Sequence, residues 1–262
     1  MRRNIVISIL TVLVIIQWIV IINISTKKTK IVKKPAISKK AVLPKVAIII
    51  DDWGYNLKYV DYLDKIKIPI TVSILPTVPY SKEVAQIVHD KGFEVMVHQP
   101  LEPLPPENRL EKKTIMTNMS DSQINTILTD SFLTIKYAKG INNHQGSKVI
   151  TDKRIMTVIL ERLGREGMFF VDSMTNLNTV VPALSKKLRV RFARRDVFID
   201  NEDNEIYIEN QINALIEKAK KNGYAIGIGH YRPNTLKAVA EFADKHKESK
   251  EVRFVFASDL VK

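Results

Sequence analysis

Two adjacent carboxylates, Asp51 and Asp52, close an apolar run and precede Trp53-Gly54. Neighbouring carboxylates repel one another, and a cation held beside them relieves that repulsion. A turn that merely caps a helix needs only one acid. His98 follows a second apolar run, in Val-His-Gln-Pro, and His230 closes Ala-Ile-Gly-Ile-Gly. Asn142-Asn143-His144 stands in a polar segment, and Asp172-Ser173 ends another apolar run. Each has an ordinary alternative: a buried, hydrogen-bonded imidazole for His98 or His230, a polar turn for Asn-Asn-His, a helix cap for Asp172. Together they offer more. One aspartate and two neutral imidazoles form a mixed oxygen and nitrogen donor set suited to Zn²⁺ and other first-row divalent ions. With a coordination position left open, such an ion activates water and polarises a carbonyl. A second carboxylate could take the proton of the water, and a further histidine could protonate the leaving group. These are the parts for hydrolysing an amide or ester.

The elements that must position these residues alternate along the chain. Short runs apolar on both faces (46–50, 70–75, 93–97, 168–171, 224–228 and 253–256) suit parallel strands covered by helices. Helical spacing appears over 84–89, 124–137, 155–163, 206–219 and 236–243. Gly92, Gly140, Gly167 and Gly223 sit where helices should end, as C-terminal caps do. About seven β-α units in roughly 215 residues predict a barrel-like parallel α/β fold, with an open doubly wound sheet as the alternative. In either, reactive residues gather at the carboxyl ends of strands. Three of the five histidines fall there; His89 and His246 fall in helices and receive no role.

The formal charge of +13 is unevenly placed. Nine of the 41 basic residues precede Lys45 and none of the 28 acidic ones do, so the remainder is only mildly basic. That argues against a nucleic-acid domain, which carries its basic stripe on the fold, and for an anionic lipid or envelope polymer near the tail. Residues 5–24 are uncharged and long enough to span a bilayer as a helix. They end in Ile-Ile-Asn-Ile-Ser-Thr, a poor signal-peptidase site, so residues 1–24 read as an uncleaved membrane anchor or signal sequence. Residues 25–44 read as a Lys-rich linker and 45–262 as one catalytic domain. Seven lysines after the anchor favour a cytoplasmic domain by charge count, whereas the short Arg-Arg start favours a signal-anchor with the domain outside. The chain has no cysteine, which excludes disulfides, thiolate metal sites and a cysteine nucleophile. No G-x-S-x-G, P-loop or G-x-G-x-x-G is present.

The segments I-I-I-D-D-W-G-Y, E-V-M-V-H-Q-P-L-E-P, G-I-N-N-H-Q-G-S, F-F-V-D-S-M-T, R-D-V-F-I-D-N and A-I-G-I-G-H, in this order, resemble the divergent polysaccharide deacetylase family within the NodB-like carbohydrate esterases. The resemblance runs from Lys45 to the C-terminus. It implies a distorted (β/α) barrel of mostly parallel strands, a divalent metal (zinc foremost) and an envelope polysaccharide substrate. By the same resemblance Asp51 is the catalytic base, Asp52 and His98 are metal ligands, and His230 is the general acid, oriented by Asp172. The NodB-like H-[ST]-x-x-H motif has Glu102 in place of its second histidine. Either Glu102 or His144 supplies the third ligand; His144 is preferred, because Pro100 and Pro103 oppose the regular helix that brings i and i+4 onto one face. The Arg-x-Pro motif of those esterases is missing, with Asn-Asn-His near its place, and Arg195 and Asp196 read as an ion pair at the edge of the site. Two functions follow: a metal-dependent hydrolase removing acetyl groups from an N-acetylated envelope polysaccharide in an extracytoplasmic, membrane-anchored domain, or a non-catalytic module that keeps the fold to bind glycan or an envelope partner.

Overall fold

A computed structural model describes residues 2–26, 43–105 and 109–262. Two units separate, Met1–Val42 and Leu43–Lys262. The first contains α1 (Arg2–Thr26). Its described large apolar side chains, Ile5 to Ile22, are exposed. Among the described residues no helix is long and apolar enough to cross a membrane. The expected linker lies largely outside the described residues.

In the second unit strands and helices alternate: β1 (Lys45–Trp53), α2 (Tyr62–Lys65), β2 (Thr71–Ile74), α3 (Ser81–Asp90), β3 (Glu94–Leu101), α4 (Asp121–Thr134), β4 (Gly140–Gln145), α5 (Lys153–Glu166), β5 (Phe169–Asp172), α6 (Val181–Leu188), β6 (Phe192–Arg194), β7 (Val197–Phe198), α7 (Glu205–Asn222), β8 (Tyr224–His230), α8 (Pro233–His246) and β9 (Arg253–Phe254). The strands pair in the order β6-β5-β4-β3-β2-β1-β8-β7, with β9 beside the start of β1, and every ladder is parallel. One stretch, 192–198, pairs through β6 with β5 and through β7 with β8, and so bridges the two edges of the curled sheet. The predicted barrel-like arrangement of parallel strands is therefore present.

Burial on both faces explains the doubly apolar runs. Ala47, Ile49, Met96, Phe169, Val171, Ile226 and Ile228 fill the inside of the curl, closed below by Val255, Ala257 and Leu260. Alternate residues face outward and pack under the helices. The C-terminal segment is pinned by polar contacts: Thr71 Oγ1 donates to Glu94 Oε1 (2.8 Å), Ser258 N donates to the same oxygen (3.1 Å), and Ala257 N donates to Thr71 Oγ1 (3.0 Å). Local signals set several boundaries. Ser120 and Gln123 form a capping box at α4, and Asp152 and Asn204 cap α5 and α7 through their side chains. Gly167 and Gly223 end their helices in the left-handed conformation, as expected.

Gly140 does not. It opens β4, and a Cβ there would lie 2.6 Å from the carbonyl oxygen of Phe169, so its role is close approach of two strands rather than a helix cap. Five elements escaped the sequence: α2 and α6 are short, β4 is too polar to read as a buried strand, and β6 and β7 are strands of three and two residues.

Candidate active site

The period of two along each strand decides which residues meet. Positions 47, 49 and 51 of β1 face the inside of the curl, as do 96 and 98 of β3, 142 and 144 of β4, and 226, 228 and 230 of β8. The lower members of these series are apolar; the upper ones are Asp51, His98, Asn142, His144 and His230. The ladders set them side by side: Asp51 opposite His230, and His98 opposite Asn142.

Asp52 should point the other way, and it does not, because the strand is kinked at this residue. Its φ is +65°, and the β1–β2 register slips between Ile50 and Trp53. The left-handed residue Asp52 is thus what brings both carboxylates to one site. A left-handed conformation is uncommon outside glycine, though aspartate tolerates it better than most residues. Such strain costs of order 1–3 kcal/mol and is found where a site demands it.

Asp52 Oδ1, His98 Nε2 and His144 Nδ1 form a nearly equilateral triangle: 3.2 Å from Asp52 to His98, 3.1 Å from Asp52 to His144 and 3.2 Å between the histidines. They are the group of side chains, among those described, whose geometry suits a metal ion. Donors about 2.0–2.1 Å from a tetrahedral ion lie about 3.3 Å from one another, so the triangle fits one face of such a tetrahedron. His98 is buried while Asp52 and His144 are half-exposed, which leaves the outer side of the triangle open.

Asn142 underlies this set and is fully buried. Its Oδ1 accepts from His98 Nδ1 (2.7 Å) and Ser73 Oγ (2.6 Å), and its Nδ2 donates to both oxygens of Asp51 (2.8 and 3.0 Å). One amide therefore places the proton of neutral His98 on Nδ1, leaves Nε2 free as a donor atom to a metal, and holds Asp51 in place. Burial pushes the Asp51 carboxyl above its ordinary range, against the pull of His98, His230 and Asn142. At Asp52 burial acts the same way but loses to the hydrogen bonds of His144 and His98, which hold its carboxyl well below that range. For His98, burial opposes the charge, yet Asp51 and Asp52 raise the imidazole to about 9.

Glu102 is not available as a ligand. Its carboxylate takes Lys148 Nζ (2.5 Å), Thr117 N (2.6 Å) and Thr117 Oγ1 (2.7 Å). Although burial works the other way, these contacts hold its carboxyl below the usual value. Of the two candidates for the third ligand, His144 stands in the triangle and Glu102 is engaged elsewhere.

The expected contact between Asp172 and His230 is absent. Val171 faces inward, so Asp172 faces outward; its Oδ1 accepts from Met174 N (2.7 Å) and braces a tight turn. Burial pushes its carboxyl up, and its Oδ2 has no hydrogen-bond partner among the described residues. The residue that holds His230 is Asp200, just beyond β7. Its Oδ1 lies 2.9 Å from His230 Nδ1, while Oδ2 accepts from His230 N (2.7 Å) and Thr235 Oγ1 (2.8 Å). Burial works against a charged His230, but the Asp200 bond and charge raise its pKa, and His230 in turn holds Asp200 low. The sequence did hold a signal: Asp200 ends the apolar stretch 197–199 before Asn201, as the other site acids end theirs. Arg195 and Asp196 make no ion pair. Arg195 donates to the carbonyls of Ser173 and Met174 and stacks on Phe198, whose ring in turn stacks on His230. Asp196 Oδ2 accepts from Ile226 N.

The set can hold a divalent ion by three side chains, keep an unliganded carboxylate beside it and present an Asp-supported imidazole on the other side. Residues 48–261 match the family described as divergent polysaccharide deacetylase. The uncharacterized protein YibQ of Escherichia coli K12 is 34% identical over 226 residues, covering 86% of this chain and 70% of YibQ. The uncharacterized protein ATU2773 of Agrobacterium tumefaciens C58 shares the fold with a TM-score of 0.79 at 19% identity, covering 85% of this chain and 91% of that one. A fold likeness with a TM-score of 0.50 at 12% identity links it to the Bc1960 peptidoglycan N-acetylglucosamine deacetylase, over 83% of this chain and 87% of that one. On these matches the chain belongs to the divergent polysaccharide deacetylase family.

Proposed function

We propose that the protein is a metal-dependent hydrolase that removes acetyl groups from an N-acetylated envelope polysaccharide. The observation that carries this reading is the division of labour between neighbouring carboxylates: Asp52 joins two imidazoles in the donor triangle, while Asp51 is tied to Asn142 beside it. Bound by Asp52, His98 and His144, a divalent ion such as Zn²⁺ supplies Lewis-acid polarisation of the acetyl carbonyl and acidifies water. The protein's own groups do the rest. Asp51, with its raised pKa, is a strong enough base to take a proton from the attacking water. His230, kept protonated by Asp200, delivers a proton to the departing amine or alcohol. Asn142 keeps Asp51 from swinging away and keeps the donor nitrogen of His98 facing the triangle. An acetyl ester would be cleaved by the same steps.

The substrate class is supported by the family description and by the N-acetylglucosamine deacetylase that shares the fold. In the same reading the uncharged run at residues 5–24 tethers the domain to the membrane, with the domain on the outer side where such polysaccharides lie.

The test is acetate release by the purified, zinc-loaded chain from acetylated envelope glycans, alongside Asp51→Asn and Asp52→Asn. Asp52→Asn should lose bound metal. Asp51→Asn should keep metal and fold while losing rate by roughly 10²–10⁴. Full metal, tight glycan binding and no acetate from any glycan would replace the enzyme by a binding module.

A further inference from the structure

Where most strands are followed by a helix, β6 passes to β7 through Arg195-Asp196 alone. The helical layer therefore lacks a member between α6 and α7, and a cavity of about 870 Å³ occupies the place. Its walls carry Lys186 and Arg189 at the end of α6, Arg191 and Arg194 along β6, and Lys262. Its floor includes Tyr224 at the start of β8, whereas His230 ends the same strand, roughly 20 Å away at about 3.3 Å per residue. Tyr224 and the metal-site end of β8 thus lie at opposite ends of that strand, and none of the cavity's lining residues belongs to the metal triangle.

The charges there are not consumed by the fold. Lys186, Arg189 and Arg194 make no side-chain hydrogen bond or ion pair among the described residues. Arg191 gives one nitrogen to Gly167 O, and Lys262 lies over the ring of Tyr224. The one acidic side chain in the wall, Asp196, is already engaged by Ile226 N and approached by Lys218 Nζ at 3.7 Å. A second, independent observation concerns Ser185. It lines the cavity, is 3% exposed, and its Oγ has no hydrogen-bond partner among the described residues. A buried hydroxyl without a partner costs about 1–3 kcal/mol, a penalty that a ligand oxygen would remove once the Ser185 side chain turns toward the cavity.

We propose that this cavity binds a phosphomonoester. Guanidinium forks match the paired oxygens of phosphate and lysines add point charge. The volume lies in the range of small-molecule sites, larger than one inorganic ion needs. The phosphate can come from a phosphorylated sugar or a lipid headgroup.

Isothermal titration of the full chain in non-ionic detergent separates these sources with two probes, glucose 6-phosphate and dihexanoyl phosphatidic acid below its micelle concentration, with glucose as control. At least one phosphorylated probe should bind saturably, and glucose should not. The one that binds identifies the source. Arg189→Gln combined with Arg194→Gln should weaken binding at least about tenfold without changing the melting temperature, and Ser185→Ala, which removes an unpartnered hydroxyl, about threefold without lowering it. Lys82→Gln with Lys136→Gln, which removes two exposed charges elsewhere, should leave affinity unchanged, as should Asp52→Asn at the metal triangle. No saturable binding of either phosphate, or equal weakening by the Lys82/Lys136 pair, overturns the proposal.

Discussion

At the scale of single residues, the site depends on side chains that touch neither metal nor substrate. Asn142 has no slack: its amide oxygen takes two protons and its nitrogen gives two bonds to Asp51. Replacing it with alanine frees the His98 ring and unties Asp51. Zinc affinity should fall about 10–100-fold, the usual effect of losing a partner behind a ligand. Competition titration against a chelator measures this, and an unchanged affinity would remove Asn142 from the account. Asp200 acts on His230 in the same indirect way. Its carboxylate raises the imidazole, so the protonated acid persists to higher pH than a free histidine would allow. The rate should therefore fall as pH rises through that elevated value. In Asp200→Asn the fall should come at lower pH, with kcat reduced and zinc content unchanged. An alkaline limb that stays in place would show that some other group titrates there. Asp172→Asn, by contrast, should leave that limb where it is, since Asp172 makes no bond to His230.

At the scale of elements, β8 must lie close to its cover for Asp200 to reach His230. Gly227 and Gly229 make this possible. A Cβ at Gly229 would stand 2.7 Å from Ile199 Cγ1 and 2.9 Å from Thr235 Cγ2, the two residues that flank and bond Asp200. Gly229→Ala should destabilise the domain by about 1–3 kcal/mol through overpacking. It should also depress kcat more than zinc affinity, because β8 carries the acid and not the ligands. Denaturant unfolding and single-turnover rates read the two effects separately. Equal loss of metal and rate would mean that the strain spreads through β1. The element scale also explains what escaped the sequence. A strand that ends in Asn-Asn-His-Gln carries the chemistry at the expense of the apolar pattern by which strands are recognised, so β4 was hidden by its own function.

At the scale of the whole molecule, two further outcomes are expected. Metal should couple to folding, because the triangle exists only when β1, β3 and β4 are aligned. Without metal, Asp51 and Asp52 hold a proton on His98 up to about pH 9. Binding at neutral pH must displace it, so zinc affinity should rise by up to about tenfold per pH unit below that value and level off above it. Calorimetry in buffers of different ionisation enthalpy counts the released protons; none released would contradict the His98 assignment. The proposed tether predicts that a C-terminal periplasmic-type reporter is active and a cytoplasmic one silent. The reverse would place the domain inside and remove the envelope polysaccharide as substrate.

The sequence by itself determined the alternation of strands and helices, the parallel α/β class, and the placing of Asp51, His98 and His230 at strand ends. These are local properties: apolar runs of strand length, helical spacing, capping residues, and polar groups that end a buried run. Tertiary structure decided the rest. Whether His144 or Glu102 completes the triangle depends on Lys148 and Thr117, distant in sequence, claiming the glutamate first. That Asp200 and not Asp172 holds His230 depends on which face of β5 is turned inward and on β7 pairing with β8. That Asp51 and Asp52 act together depends on one left-handed residue in β1. Each turns on a contact between residues 15 or more positions apart or on a single dihedral angle, and neither leaves a mark in composition or periodicity.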